Sequence, residues 1–289
     1  MKRILIAAML LACANAYAQF DIGRALDLGR KVVQAQEGMK DLTDDEEVAL
    51  GEQLTAGFLG ASPLHSDANL QRYVNRVGKW LALHSGRPDL PWTFAVIDTE
   101  TINAFAMPGG DVIVSSGLLK RLSSESELAG VLAHEIAHVV KKHQVQAIQS
   151  AAKGNLASSI GKDLAGDAIA RRGGGALSQA GKSALANVAA DLLKDGFFLR
   201  PLDRSMEFEA DQLGVVIATR SGYDPYGLVG ALEMLAQYKG GGDAASVFST
   251  HPPATDRLSE LEKFLPTVER YSSQPQLEAR FHQVIGAAK

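Results

Sequence analysis

His134-Glu135-Ile136-Ala137-His138, set between Leu132-Ala133 and Val139-Val140, is the stretch on which the reading of this chain turns. Four residues on an α-helix make about 40° of net rotation, so the two imidazoles leave one face a turn apart. That spacing lets two neutral ring nitrogens meet one Zn²⁺ ion. Glu135 projects beside such an ion rather than onto it, where a carboxylate can take a proton from an activated water. Two surface histidines on an ordinary helix would share the spacing. The apolar flanks favour a buried helix instead, and the pattern predicts one over residues 124–143, begun by Ser and Glu residues.

A catalytic zinc needs a third protein ligand and an open position. His143 lies five residues after His138, about 140° around a continuous helix, and reads as a C-terminal helix residue favoured by the dipole together with Lys141 and Lys142. The better candidate lies in Arg204-Ser205-Met206-Glu207-Phe208-Glu209-Ala210-Asp211. Glu207 and Asp211 share a helix face. Glu207 is expected to bind the metal while Asp211 accepts the other ring N–H of a ligand histidine. Glu209 points about 160° away from Asp211 and reads as a surface or salt-bridge residue.

Outward from this centre, the chain alternates helical and strand signals. Thr43-Asp44-Asp45-Glu46 fits a capping box. Asp67 to Leu83 carries Leu70, Tyr73, Val74, Val77 and Leu81 at helical spacing. Trp92 to Ile97 alternates as a strand, and Asn103 to Ser116 reads as a strand pair broken at Pro108-Gly109-Gly110. Residues 150–196, rich in Ala, Gly and Ser, are expected to form a helical insertion covering the core, with a lid over the site as the sharper alternative. The expected fold class is α+β, mostly helical, with a small sheet beside the metal-binding helix.

The N-terminus reads as an export signal. Met1-Lys2-Arg3 is basic, Ile4 to Ala12 is apolar but too short to span a bilayer, and Ala16-Tyr17-Ala18 suits cleavage before Gln19. The expected organisation is a signal peptide at 1–18, an N-terminal arm at 19–42 and one catalytic domain at 43–289. Leu10-Leu11-Ala12-Cys13 also resembles a lipobox. The periplasm is therefore the expected location, with an outer-membrane lipoprotein anchored through Cys13 as the alternative. Cys13 is the single cysteine, so cleavage after Ala18 leaves no thiol for catalysis or disulfides. A formal net charge of −4 gives no basic excess, so no nucleic-acid partner is expected, and charges interrupt every other long apolar stretch, so no further membrane span is expected.

Four stretches together resemble the zinc metallopeptidase family of CAAX prenyl proteases, HtpX and BepA. They are Asn103-Ala104-Phe105-Ala106-Met107-Pro108-Gly109-Gly110, the segment from Glu127 to His138, Glu207-Phe208-Glu209-Ala210-Asp211, and Thr250-His251-Pro252-Pro253-Ala254-Thr255-Asp256-Arg257-Leu258. They occur in family order over roughly residues 43–265. The resemblance implies a zincin-like (gluzincin) fold and one Zn²⁺ per chain held by His134, His138 and Glu207. It implies that Asp211 orients His134, and that His251 works near the zinc, stabilising a transition state or closing the open site. Arg257 would then anchor its segment through a carboxylate.

Asn103, Ala104, Phe105 and Ala106 would bind an extended protein or peptide substrate, or simply form a core strand and turn. The sequence shows neither the membrane helices of the prenyl proteases and HtpX nor the helical repeats of BepA. It is therefore most similar to small exported single-domain members. The expected function is an exported zinc endopeptidase acting on unfolded or misassembled envelope proteins. The alternative is a periplasmic chaperone or assembly factor for outer-membrane proteins with latent protease activity.

Overall fold

The computed structural model describes residues 42–60, 62–150, 202–238 and 251–287. The expected signal peptide, the arm up to residue 41 and the insertion from residue 151 onward lie outside the described residues, as does Cys13.

Helix α1 (Asp44–Leu59) starts at Thr43, whose hydroxyl accepts from the Glu46 N–H while the Glu46 carboxylate returns to the Thr43 N–H, completing the capping box. Helix α2 (Ala68–Leu83) is capped by the Asp67 carboxylate, which accepts from the N–H groups of Asn69 and Leu70. Its helical stripe, including Leu70, Val74, Val77 and Leu81, is buried. Strands β1 (Thr93–Ile97), β2 (Ala104–Ala106) and β3 (Asp111–Ser115) form one sheet in the order β1-β3-β2. β1 runs parallel to β3 and β2 antiparallel to it, with Ala104 opposite Val114 and Ala106 opposite Val112. The β2–β3 connection is the Pro108–Gly110 turn, in which Gly109 takes a φ of 82°, open to glycine without strain.

After a short helix α3 (Ser116–Leu119), helix α4 (Glu125–Val140) carries the His-Glu-x-x-His stretch through the middle of the molecule. Ser124 caps it by accepting from the Glu127 N–H. Leu128, Leu132, Ala133, Ile136 and Ala137 have no exposed surface, because the helix is enclosed by α2, the sheet, α5 (Arg204–Arg220) and α6 (Gly227–Gln237). Each buried leucine or isoleucine there contributes about 1.5–3 kcal/mol. Helices α7 (Ala254–Phe264) and α8 (Glu278–Ala287) complete the described chain. The architecture is the expected α+β zincin-like one, mostly helical with a small sheet beside the metal-site helix. Among the described residues no helix is long and apolar enough to cross a membrane.

One expectation is corrected. The helix predicted over 124–143 stops at Val140, and Lys142 takes a φ of 56° before helical residues resume at 143. The reversal is held from outside the helix. Glu47 on α1 is fully buried and binds Arg87 through both oxygens at 2.9 Å, Lys142 Nζ at 3.2 Å and the Gly109 N–H at 3.1 Å. Lys142 also donates to the Leu42 carbonyl and Arg87 to the Val139 carbonyl. Together these bonds hold the unusual turn, and the Arg87 contact supplies a donor to one of the last carbonyls of α4.

A second buried acid, Glu125, fastens the other end of α4. It accepts from Tyr73 and Tyr223, each at 2.8 Å, and from the forked guanidinium of Arg280 on α8.

Candidate metal centre

Helices α4 and α5 cross so closely that a side chain is excluded between them. A Cβ added at Gly214 would stand 2.9 Å from the His134 nitrogen and 3.0 Å from its Cα. Glycine at this crossing lets Glu207, two turns earlier on α5, reach the histidines of α4. Gly214→Val is expected to force the helices apart, costing about 1–3 kcal/mol and lowering metal retention. Thermal denaturation and metal analysis of the purified variant check this; unchanged values would mean that the crossing does not set the site.

The structure brings four expected residues together. One ligand atom from each of His134, His138, Glu207 and His251 lies within 4.8 Å of the others. His134 Nε2 and His138 Nε2 are 3.1 Å apart. Each stands 3.6 Å from a Glu207 oxygen, His134 from Oε2 and His138 from Oε1. His251 places Nδ1 2.7 Å from Glu207 Oε2 and Nε2 4.0 Å from Glu135 Oε1.

The outer partners decide the proton positions. Asp211 Oδ1 accepts from His134 Nδ1 at 2.9 Å, which leaves His134 Nε2 as a bare lone pair. Arg257 forks onto the same Asp211 carboxylate at 2.9 and 2.5 Å, so it does anchor its segment through a carboxylate. Its Nη2 also lies 3.2 Å from His134 Nδ1.

Electrostatics match this layout. Burial pushes the Asp211 carboxyl up, but Arg257 and the His134 N–H outweigh it and hold the group below the usual carboxylate range. Burial likewise raises Glu207, yet His251 beside it and the two α4 histidines leave it well below that range. Burial lowers His138 far below an ordinary histidine, with His134 adding to the effect. For Glu135 burial dominates and its carboxyl is raised, against the pull of His134 and His251.

The residues present fit a metal ion. Glu207 Oε1 is buried and has no hydrogen-bond donor. A bare imidazole nitrogen and a carboxylate oxygen converge on one point, an unfavourable grouping that a cation relieves. Two imidazoles and one carboxylate are a donor set suited to Zn²⁺.

Other expected site residues are placed as follows. Asn103 and Ala104 line a cavity beside the cluster with Glu135, His251 and apolar groups that include Val131, Leu228 and Leu232. Phe105 turns to the opposite face of β2, its ring 4.7 Å from that of Phe58, and Ala106 is buried. Glu209 is half-exposed and pairs with Lys141 Nζ at 2.5 Å, as a salt-bridge residue should. His143 departs from the reading of its sequence position. It is buried, with Nδ1 3.0 Å from His138 Nδ1 and Nε2 3.3 Å from Glu209 Oε2. The rotation expected for a continuous helix does not apply, because the turn at Lys142 intervenes.

Comparison with known proteins agrees with this geometry. The chain is 31% identical over 220 residues to the Beta-barrel assembly-enhancing protease of Escherichia coli (strain K12), an alignment covering 76% of this chain and 44% of that protein. It is 30% identical over 256 residues to Metalloprotease YcaL of the same organism, covering 88% and 92%. It is 34% identical over 198 residues to Mitochondrial metalloendopeptidase OMA1 of Schizosaccharomyces pombe, covering 68% and 53%. The chain thus spans less than half the length of the first of these relatives. The sequence profile of peptidase family M48 matches residues 68–265, which takes in α2, the sheet and all four residues of the cluster. The chain therefore belongs to peptidase family M48, and its described domain is a metallopeptidase domain of that family.

Proposed function

We propose that this chain is a zinc-dependent endopeptidase that hydrolyses peptide bonds in unfolded or misassembled proteins of the cell envelope. The observation that carries the reading is the convergence of His134 Nε2, His138 Nε2 and the donorless Glu207 Oε1 beside a buried, proton-seeking Glu135. When bound, zinc supplies Lewis acidity, lowering the pKa of water to about 7 and polarising a carbonyl.

Glu135 is placed to take the proton of the attacking water and to pass it to the departing amine. His251, held by Glu207, is placed to donate toward the oxygen on which charge develops. The edge of the sheet is suited to present the substrate. Asn103 and Met107 spend their backbone bonds on β3, so Ala104 and Ala106 turn theirs toward the outer side of β2, an edge strand, where the Ala104 N–H donates to Asn103 Oδ1 at 2.9 Å. An extended peptide could add there by backbone pairing, which tolerates many sequences.

Glu207→Ala is expected to weaken zinc binding by well over the roughly 10–100-fold that losing an outer hydrogen-bond partner costs. Glu209→Ala should still purify with one zinc. Metal analysis of both variants, with cleavage of a denatured protein as the activity readout, tests the assignment. Full zinc in Glu207→Ala together with loss in Glu209→Ala would assign the ligand to the other carboxylate.

Export to the periplasm is proposed from Met1-Lys2-Arg3, the apolar run Ile4 to Ala12 and Ala16-Tyr17-Ala18. The similarity to a Beta-barrel assembly-enhancing protease supports a second role in outer-membrane protein assembly. Suppression of aggregation that survives loss of Glu135 would establish a binding role beside the proteolytic one.

A further inference from the structure

His143 is a buried polar group that the peptidase mechanism does not use. It is sandwiched between a metal-site histidine and an acid. Its Nδ1 faces His138 Nδ1 at 3.0 Å, and its Nε2 faces Glu209 Oε2 at 3.3 Å. The rings of His138 and His143 meet edge to face, with centroids 5.0 Å apart. One proton arrangement lets both Nε2 atoms face a metal bare. Glu209 is ionised and accepts, its carboxyl held below the usual range by Lys141 and His143. His143 must then carry its proton on Nε2. A metal at His138 Nε2 requires the His138 proton on Nδ1, so His143 Nδ1, 3.0 Å away, is the acceptor. His138 Nε2 is then left bare, 3.1 Å from His134 Nε2.

We propose that His143, backed by Glu209, is a positioning residue for His138: it fixes the His138 tautomer and ring orientation so that Nε2 faces the metal. This does for His138 what the Asp211 carboxylate does for His134. The two metal-site histidines of α4 thus have unlike supports, one a carboxylate and the other an imidazole backed by a carboxylate. The turn at Lys142 makes this possible. A continuous helix would carry His143 away from His138, and the bonds from Lys142 to Glu47 and to the Leu42 carbonyl hold the reversal that brings it back. The inference rests on the metallopeptidase reading of the site.

The test uses the full chain and zinc alone. Zinc affinity is measured by competition with a chromophoric chelator for wild type, His143→Leu, His143→Asn and Glu209→Ala. His143→Leu removes the acceptor and should weaken zinc binding by about 10–100-fold. His143→Asn keeps an acceptor oxygen where Nδ1 lies and should recover most of that loss. Glu209→Ala should fall between, because Glu209 is half-exposed and water can take its place. In zinc-free protein, nitrogen NMR of ¹⁵N-histidine should find the His138 proton on Nδ1 in wild type.

A His138 proton on Nε2, wild-type affinity in His143→Leu, or equal weakness in the Leu and Asn variants would each overturn the proposal. Should His143→Leu fail to fold, the Asn variant and the wild-type tautomer still decide it. A wild-type chain that binds no zinc would instead overturn the metal reading itself, which the other outcomes leave standing.

Discussion

Glu135→Gln is expected to abolish peptide-bond cleavage while leaving zinc content unchanged. The substitution keeps shape and volume and removes only the capacity to hold a proton. Glu135 is 2% exposed, and its carboxyl is raised by burial against the opposing pull of His134 and His251. A base of raised proton affinity is well matched to accepting a proton near neutral pH and returning it to a leaving amine. General acid–base catalysis of this kind contributes about 10²–10⁴-fold, which is the loss anticipated in kcat/KM. The atoms proposed to hold zinc lie on His134, His138 and Glu207, and Glu135 bonds to neither Asp211 nor His143, the groups behind the two histidines. Melting temperature should stay level or rise, since a buried carboxylate is replaced by a neutral amide. The check is cleavage of a permanently unfolded protein, with metal analysis of the same preparation. Wild-type cleavage by the variant would remove Glu135 from the mechanism. Loss of zinc along with activity would make it a structural residue.

The fold and much of the site are readable from local pattern. Capping residues and stripes are local properties, so Thr43, Asp67 and Ser124 start helices where their neighbours predict. The pairs His134/His138 and Glu207/Asp211 are also local, since four residues on a helix fix a shared face whatever surrounds it. Their convergence is not local. It depends on the α4–α5 crossing, which the sequence carries only as a glycine at 214.

His143 shows where such reading stops. Its predicted direction assumed a helix continuing past Val140, and the termination is imposed by Glu47, nearly a hundred residues earlier in the chain. A lysine is an uncommon residue for positive φ, so nothing at position 142 signals the turn. The Glu125 cluster is equally silent, since Tyr73, Tyr223 and Arg280 come from three distant segments.

Arg257→Met is expected to be the most destabilising single change at the site. Arg257 is 5% exposed and Asp211 1%, and the guanidinium holds both Asp211 oxygens. Removing one partner of a buried pair leaves the other charge uncompensated, at a cost of about 3–5 kcal/mol. For a chain of this size that corresponds to a drop of roughly 6–20 °C in melting temperature. Methionine retains much of the stem volume, so the loss reflects charge and hydrogen bonding more than a cavity. The pH dependence has a defined sign. The Asp211 carboxyl is depressed in the folded protein, so its contribution is present above the unfolded value of about 3.9 and is lost as pH falls below that value. Without Arg257, burial dominates and the carboxyl rises. The deficit of the variant is therefore full at neutral pH and shrinks on acidification, as Asp211 takes up a proton and ceases to be an unpaired charge. Adding Asp211→Asn to Arg257→Met removes that charge and should restore part of the stability, with a coupling energy of at least 1 kcal/mol in the double-mutant cycle. Thermal melts of the zinc-free proteins between pH 4 and 8 measure both effects. A pH-independent deficit with additive double-mutant energies would show that Arg257 stabilises α7 through packing alone, and that Asp211 is held at His134 by other means.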